Sequence, residues 1–309
     1  MPTTAFLFPG QGSQYAGMGR SLVSEFPSAR AIFDEADAAL GFSLSTLCFE
    51  GPEDQLKLTE NTQPAILTAS VAAYVVLKEK GIRPDFVAGH SLGEYSALVA
   101  AGALKFADAV RIVRNRGRYM QEAVPAGVGA MAALLKLPEG KLDAVLAEAA
   151  QGEIVSAANL NSPDQVVIAG HAGAVNRAVE LAKAAGARRG VILPVSAPFH
   201  CALMEPAQRR LAEHLAKTDF ADLSTPLVNN WKAREIRSGA DARTGLIEQV
   251  PNPVRWIEII RLLAAKGVTR WIEVGPGAVL AGLLKNIEPG QAALKGGEAA
   301  DLAALVSEA

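Results

Sequence analysis

The chain has 309 residues, of which half are hydrophobic and 6% aromatic, with 28 glycines. This length and composition suit a helix-rich α/β enzyme with a large core better than an all-β or disordered protein. The formal charge is -2, and no Lys/Arg stripe with interleaved aromatic residues is present, which argues against a nucleic-acid binder.

Signals for membrane insertion, secretion and metal binding are also missing from the sequence. The first residues lack the basic segment of a signal peptide, and no apolar stretch approaches the ~20 residues of a membrane span. Cys48 and Cys201 form no CxxC pair, so we expect buried thiols rather than a disulfide or a zinc site. We therefore expect a cytoplasmic protein that does not bind a membrane.

Strand-like and helix-like segments alternate in the first part of the chain. Residues 3–8 predict a strand, and the glycine-spaced loop 9–14 lacks the Gly-Lys-Ser/Thr ending of a P-loop, so its amides are expected to face something other than a nucleotide. Residues 62–80 predict a core helix and 85–89 a buried strand. Helices are predicted over 92–101 and 106–122, the latter with Arg111, Arg114, Arg116 and Arg118.

The junction of the predicted strand 85–89 and helix 92–101 contains the pattern GxSxG, with Ser91 between Gly89 and Gly93. Such a strand-to-helix turn is a nucleophile elbow, which lifts the serine hydroxyl clear of the sheet and directs backbone N–H groups at the same point. The glycines leave room for the close crossing. A glycine-flanked serine in an ordinary turn is the alternative, but the flanking elements favour the elbow.

The pattern changes between residues 127 and 195, where strand, helix, strand, strand, helix and strand are predicted at 128–135, 138–150, 154–159, 166–169, 172–185 and 191–195. The order β-α-β-β-α-β is typical of a ferredoxin-like unit. We therefore predict an α/β fold in which a hydrolase-like core of residues 1–126 and 196–309 carries residues 127–195 as an inserted ferredoxin-like subdomain.

The remaining core is predicted to contain helices at 204–217, 252–266 and 278–287 and strands at 226–229 and 271–274. The tail from Pro289 is rich in Ala, Gly, Glu and Lys and carries no site signal. We expect it to be a weakly packed helix or a frayed end.

A nucleophilic serine needs a base, and the chain has four histidines. His90 adjoins Ser91 but is expected to point elsewhere and support the turn, while capping or solvated roles are favoured for His171 and His214. His200 lies in the loop that returns from the predicted insertion, where catalytic groups are commonly presented; an ordinary hydrogen-bonded loop histidine is the alternative. No acid between Ser91 and His200 has a convincing motif, so a Ser-His-Asp hydrolase is poorly supported.

Motifs spread over residues 6 to about 285 resemble the malonyl-CoA:acyl carrier protein transacylase family, in the family's order. They are FPGQGSQ at 8–14, GHSLGEY at 89–95, RG at 116–117, NSP at 161–163, PFH at 198–200, NPV at 252–254 and EVGPG at 273–277. The resemblance implies transfer of a malonyl group from malonyl-CoA, through a malonyl-serine, to the phosphopantetheine thiol of acyl carrier protein, supplying fatty acid biosynthesis. It also implies no bound cofactor and an active site in the cleft between core and insert.

The same resemblance implies the roles of individual residues. Ser91 and His200 are the catalytic dyad, the backbone amides of Gln11 and Leu92 form the oxyanion hole, and the main-chain carbonyl of Gln249 orients the histidine in place of an acid.

Substrate selectivity is implied for two further residues. Arg116 is placed on the free carboxylate of the malonyl group, because the planar guanidinium can meet a carboxylate with two parallel hydrogen bonds. A solvated helix arginine is the alternative, which we prefer for Arg111, Arg114 and Arg118. Phe199 is expected to limit the room beside the α-carbon of the acyl group, with simple packing as the alternative.

Further residues are expected around the cleft. Met131, Asn159 and Gln165 are expected to line it from the insert, and Trp231, where a smaller residue is expected, to narrow its rim or to alter carrier docking. Carrier proteins are usually acidic, so Lys183, Arg188 and Arg189 are candidates for a docking patch. We expect a monomer. The rival interpretations are a thioesterase or esterase, a polyketide-type discrete acyltransferase, and a non-catalytic docking module.

Overall fold

A computed structural model describes residues 2–195 and 197–307. The strands are β1 (Thr3–Phe8), β2 (Phe86–Gly89), β3 (Gly129–Leu135), β4 (Val155–Ser162), β5 (Gln165–His171), β6 (Arg189–Ile192), β7 (Leu227–Val228), β8 (Glu235–Ile236), β9 (Val268–Glu273) and β10 (Ala293–Lys295). The helices are α1 (Arg20–Glu25), α2 (Pro27–Leu40), α3 (Leu44–Glu50), α4 (Glu53–Leu56), α5 (Thr59–Glu79), α6 (Gly93–Ala100), α7 (Phe106–Glu122), α8 (Leu142–Ala150), α9 (Ala172–Ala184), α10 (Glu205–Ala216), α11 (Gly239–Gln249), α12 (Trp256–Ala265), α13 (Val279–Ile287) and α14 (Ala299–Ser307).

The larger sheet has the strand order β10-β9-β1-β2-β7-β8 and is parallel except for the pair β7/β8. Its centre is buried on both faces, as a parallel sheet covered by helices requires. Phe6 and Phe8 of β1 pack into the cluster that contains α5 and α7, whereas Ala5 and Leu7 pack into the cluster that contains α12 and α13. The alternation of these side chains places β1 in the middle of the core.

The register of β1 and β2 determines where the loops of the site leave the sheet. Phe8, the last residue of β1, pairs with Gly89, the last residue of β2. Because the two strands are parallel, loop 9–19 and the turn at Ser91 leave the same edge of the sheet side by side.

The smaller sheet is antiparallel throughout and has the order β4-β5-β3-β6. With α8 and α9 it follows the predicted chain order β-α-β-β-α-β, which is the ferredoxin-like arrangement, and the predicted fold class is confirmed. Ala132 and Leu134 of β3 pack against α8 and α9, while Met131 and Ala133 face the main core. The small sheet therefore turns one face to its own helices and the other to the rest of the chain.

The boundaries of the insert remain our proposal, and they fall in the segments before β3 and after β6. Ser196, with which the second core segment was predicted to begin, lies outside the described residues, as do Met1 and residues 308–309. Helix α8 begins at Leu142, four residues later than the predicted helix 138–150. Pro138 lies before the turn at 139–140 rather than in the first turn of the helix.

The expectation of a weakly packed tail is wrong. Strand β10 extends the larger sheet in parallel to β9, and α14 buries Leu302 and Leu305 in the main core. Ahead of α14, the Glu298 carboxylate accepts hydrogen bonds from the hydroxyls of Tyr15 and Ser21. The C-terminal segment is thus attached to the loop that follows β1.

Candidate active site

Ser91 occupies a strained turn between β2 and α6. Its φ of 51° lies in the left-handed region that side-chain-bearing residues rarely adopt. A Cβ on Gly93 would overlap the carbonyl oxygen of Phe8, and one on Gly89 would overlap the main chain of Gly93. The two glycines therefore permit the close approach of α6 to β1 and β2 that holds Ser91 at the edge of the sheet.

His200 is in direct contact with Ser91. The distance from Ser91 Oγ to His200 Nε2 is 2.7 Å, and His200 Nδ1 lies 2.9 Å from the main-chain carbonyl oxygen of Gln249. Gln249 is the last residue of α11, where carbonyl groups have no partner within the helix. A carbonyl can only accept, so Nδ1 carries the proton and Nε2 accepts from the Ser91 hydroxyl.

The environment of His200 keeps the imidazole neutral. Burial lowers the pKa of His200 to about 3, and the positive charge of Arg116 acts in the same direction. At neutral pH the ring is therefore available to accept a proton.

Arg116 is the arginine of α7 that turns into the site, where its side chain is 1% exposed. Its Nη2 donates to Ser91 Oγ at 3.1 Å and to the side-chain oxygen of Gln249 at 2.9 Å, while Nη1 donates to the side-chain oxygen of Gln63 at 2.9 Å. Two amide oxygens thus hold the plane of the guanidinium beside the serine. By contrast, Arg111 and Arg118 are exposed.

A cavity of about 130 Å³ opens at the Ser91 hydroxyl. Met131 and Asn159 of the small sheet line it, as predicted, and so does Phe199. Gln165 does not: its side chain instead accepts a hydrogen bond from Asn161 at 3.1 Å. The full lining is Gln11, Gln63, His90, Ser91, Leu92, Arg116, Met120, Met131, Asn159, Leu193, Val195, Phe199 and His200.

The backbone amides of Gln11 and Leu92 belong to residues of this lining. Neither amide has a hydrogen-bond acceptor within residues 2–195 and 197–307. Leu92 directly precedes α6, where N–H groups lack partners within the helix, and Gln11 lies in the loop that leaves the sheet beside the elbow.

Trp231 lies apart from this cavity. It is half-buried and is not part of the lining, and the ammonium of Lys232 lies 4.2 Å from the centre of its ring. The structure therefore gives no support to the expectation that Trp231 narrows the cleft at Ser91.

The ring nitrogens of the other three histidines contact groups other than the Ser91 hydroxyl. His90 Nε2 is 2.8 Å from Asn161 Oδ1, and its ring meets Trp256 edge to face at 5.4 Å. His171 Nδ1 accepts from the amide of Ile154 at 2.9 Å, whereas His214 is exposed but contacts Tyr119 Oη at 2.6 Å.

The sequence interpretation missed several residues around Ser91. Asn230 accepts from the Ser91 amide at 2.7 Å and donates to the Gly89 carbonyl at 2.7 Å, and the Glu94 carboxylate is fully buried behind the elbow. Gln63 reaches the site from α5. Glu94 was within the quoted elbow motif, but only tertiary contacts identify Gln63 and Asn230.

No group of three or more His, Cys, Asp or Glu residues in the described chain is placed to hold a metal ion. Among residues 2–195 and 197–307, every helix is too short or too polar to cross a membrane.

The fold and the turn at Ser91 are those of an α/β enzyme built on a nucleophile elbow. The model of the acyl transferase domain family matches residues 5–304. The chain belongs to this family of acyltransferases.

Three known proteins that are similar to this chain all carry the name of a malonyl transacylase. A malonyl CoA-acyl carrier protein transacylase of Bacillus subtilis (strain 168) is 53% identical over 288 residues, which cover 93% of this chain and 91% of the relative. The solved malonyl CoA-acyl carrier protein transacylase of Coxiella burnetii has a TM-score of 0.97 and 43% identity, covering 99% of this chain and 98% of that one. A malonyl-transacylase solved in complex with its type II PKS acyl-carrier protein has a TM-score of 0.97 and 46% identity, covering 99% and 100%. The resemblance that the motifs indicated is confirmed.

Proposed function

We propose that this chain transfers a malonyl group from malonyl-CoA to the phosphopantetheine thiol of acyl carrier protein, through a malonyl ester on Ser91. The position of Arg116 carries the proposal. Its Nη2 lies 3.1 Å from Ser91 Oγ in a buried site, so an acyl group attached to Ser91 with a carboxylate at its far end has a guanidinium within reach. The names of the relatives support the same substrates.

In the first half-reaction, Ser91 Oγ attacks the thioester carbonyl carbon and gives its proton to His200 Nε2. The amides of Gln11 and Leu92 receive the oxyanion of the tetrahedral intermediate. As the intermediate collapses, the C–S bond breaks and the departing sulfur of coenzyme A takes the proton from His200. The Gln249 carbonyl holds the ring in the required tautomer through Nδ1.

In the second half-reaction the phosphopantetheine thiol enters the same cavity. It loses its proton to His200, attacks the malonyl ester, and leaves Ser91 free with its hydroxyl proton restored. Because the two substrates use one cavity in turn, the kinetics are ping-pong. Because one thioester replaces another, the reaction is reversible.

Selectivity for malonyl arises from Arg116 and Phe199. The guanidinium offers a paired contact to the carboxylate, which an acetyl group lacks. Phe199, which is 9% exposed and directly precedes His200, limits the room for a branch at the α-carbon of the acyl group.

The proposed partner is an acyl carrier protein of fatty acid biosynthesis. The proposed enzyme is a cytoplasmic monomer that works without a resident cofactor. Arg188 and Arg189 are exposed, line a groove with Lys136 and Leu283, and have no ion-pair partner among the described residues. Lys183 is a weaker candidate for carrier docking, since its ammonium lies 2.7 Å from Glu180.

The test is to incubate the protein separately with malonyl-CoA and acetyl-CoA and to locate the adduct by intact-mass and peptide mass spectrometry. We expect a malonyl adduct on Ser91, a much weaker acetyl adduct, and neither adduct in Ser91→Ala. An acetyl adduct as strong as the malonyl adduct, or no adduct at all, contradicts the proposal. Hydrolysis faster than transfer to carrier protein indicates a thioesterase instead.

A further inference from the structure

The carboxyl group of Glu94 is fully buried and has no part in the steps described above. It lies on α6, near the end that carries Ser91. One carboxyl oxygen, Oε2, accepts from Gln249 Nε2 at 2.8 Å and from the main-chain amide of Asn230 at 3.1 Å. The other, Oε1, has no hydrogen-bond partner among the described residues.

These contacts determine which way the side-chain amide of Gln249 points. Its Nε2 donates to Glu94 Oε2 and to the main-chain carbonyl of Ser91 at 2.9 Å, and both of these atoms are acceptors. The amide oxygen must therefore face the opposite way, where it accepts from Arg116 Nη2 at 2.9 Å. If the amide were reversed, the Gln249 NH2 group would face Arg116 Nη2, and both groups are donors.

Gln249 is thus joined to three functional residues of the site: Ser91, Arg116 and His200. Its main-chain carbonyl accepts from His200, its Nε2 contacts the Ser91 carbonyl, and its Oε1 holds Arg116. The contact with Arg116 is the one that matters for an acyl carboxylate, because a malonyl group has a carboxylate for the guanidinium and an acetyl group has none.

We propose that Glu94 is a positioning residue for malonyl recognition, which acts by orienting the Gln249 amide that holds Arg116 beside Ser91. This inference rests on the proposed function. The requirement is for an acceptor at the position of Oε2, where two donors converge, rather than for a negative charge.

The protonation state of Glu94 does not disturb this arrangement. Burial raises the pKa of Glu94 to about 7, so a neutral carboxyl is populated near neutral pH. The proton belongs on Oε1, because Oε2 already faces two N–H groups. Oε2 therefore remains an acceptor in both states.

Two substitutions distinguish a requirement for a hydrogen-bond acceptor at position 94 from a requirement for a negative charge. Glu94→Gln retains an oxygen that the two donors draw to the position of Oε2, whereas Glu94→Met has similar length and no such acceptor. The readout is the rate of Ser91 malonylation divided by the rate of Ser91 acetylation. We expect Glu94→Met to lower this ratio about tenfold or more. In Glu94→Gln the ratio should stay within about twofold of that of the native protein.

A purely structural role of Glu94 would lower both acylation rates together and leave the ratio unchanged. A native ratio in Glu94→Met overturns the proposal, and so does a ratio in Glu94→Gln as low as in Glu94→Met. If Glu94→Met does not fold, Gln249→Met serves instead: it keeps the main-chain carbonyl for His200, and a native ratio there also overturns the proposal. Failure of the native protein to form malonyl-Ser91 counts against the proposed function, and is separate from these outcomes.

Discussion

At the scale of single residues, the burial of Arg116 distinguishes it from the other arginines of α7. Arg114 Nη1 donates to Asn61 at 2.9 Å and Arg118 lies on the exposed face, whereas Arg116 has its guanidinium between Gln63 and Gln249. Burial lowers the pKa of Arg116, and the charge of the buried Glu94 carboxylate acts in the opposite direction without contacting the guanidinium. A substrate carboxylate in the cavity would be the first to contact the guanidinium directly.

Replacement of Arg116 by lysine tests the paired contact, because lysine keeps the positive charge and loses the planar fork. Loss of charge-assisted bonds worth about 3 kcal/mol predicts a roughly hundredfold fall in the ratio of malonyl to acetyl transfer. The ratio is measured as kcat/KM for the two CoA thioesters. Arg118→Lys on the same helix is the matched control and is expected to keep the native ratio. Equal ratios in the two variants would count against the role of Arg116.

The sequence predicted some of these residues better than others. Ser91 could be predicted from the strand-turn-helix pattern around it, and His200 by elimination among four histidines. The roles of Gln11, Gln249 and Arg116 came from the resemblance alone. Gln63 meets Arg116, Asn230 meets Ser91 and the Glu94 carboxylate meets Gln249 only through contacts distant in sequence, and no local pattern reports those.

At the scale of elements, the prediction was accurate where the hydrophobic period is strong. The predicted helix 106–122 has the bounds of α7, and the chain order of the insert is as predicted. The tail was misjudged because β10 is short and α14 is rich in alanine, so that its few large apolar residues give a weak signal. The contacts of β10 with β9 and of α14 with the core decide that structure.

The crossing of α6 over β1 gives a prediction about Gly93. Gly93→Ala places a methyl group against the Phe8 carbonyl, so it is expected to destabilise the fold by about 1–3 kcal/mol or more and to abolish acylation of Ser91. Gly282→Ala is the matched control, since that helical glycine faces open space and alanine there is expected to stabilise by about 0.5–1 kcal/mol. Thermal unfolding measures both; a Gly93→Ala protein as stable and active as the native one would contradict the expected clash.

At the scale of the whole molecule, the cavity lies between the two sheets. Hydrogen bonds link the small sheet to the core beside it. Val254 of the core exchanges main-chain bonds with β4, from Leu160 N to Val254 O and from Val254 N to Ala158 O, each at 2.9 Å. Asn161 of β4 contacts His90 beside the nucleophile. The wall contributed by the small sheet is therefore positioned relative to Ser91 by several independent contacts.

Carrier docking depends on how charge is distributed over the whole surface. The net charge is -2, so attraction of an acidic carrier must arise from a local patch rather than from the overall field. Arg188 and Arg189 line a groove between the small sheet and α13. Arg209 and Arg210 provide an adjacent control pair away from this groove, because Arg209 lies near Val128, at the opposite end of β3, and both arginines already pair with carboxylates, those of Glu205 and Glu122.

We therefore expect the double variant Arg188→Ala/Arg189→Ala to lower kcat/KM for the carrier protein about five- to tenfold at low salt, because rim charges mainly affect association. Its rate of Ser91 malonylation by malonyl-CoA should stay native, and the difference in carrier transfer should shrink as salt screens the charges. Arg209→Ala/Arg210→Ala should keep native transfer. Equal losses in both half-reactions, or a loss that persists at high salt, would show that Arg188 and Arg189 stabilise the chain rather than bind the carrier.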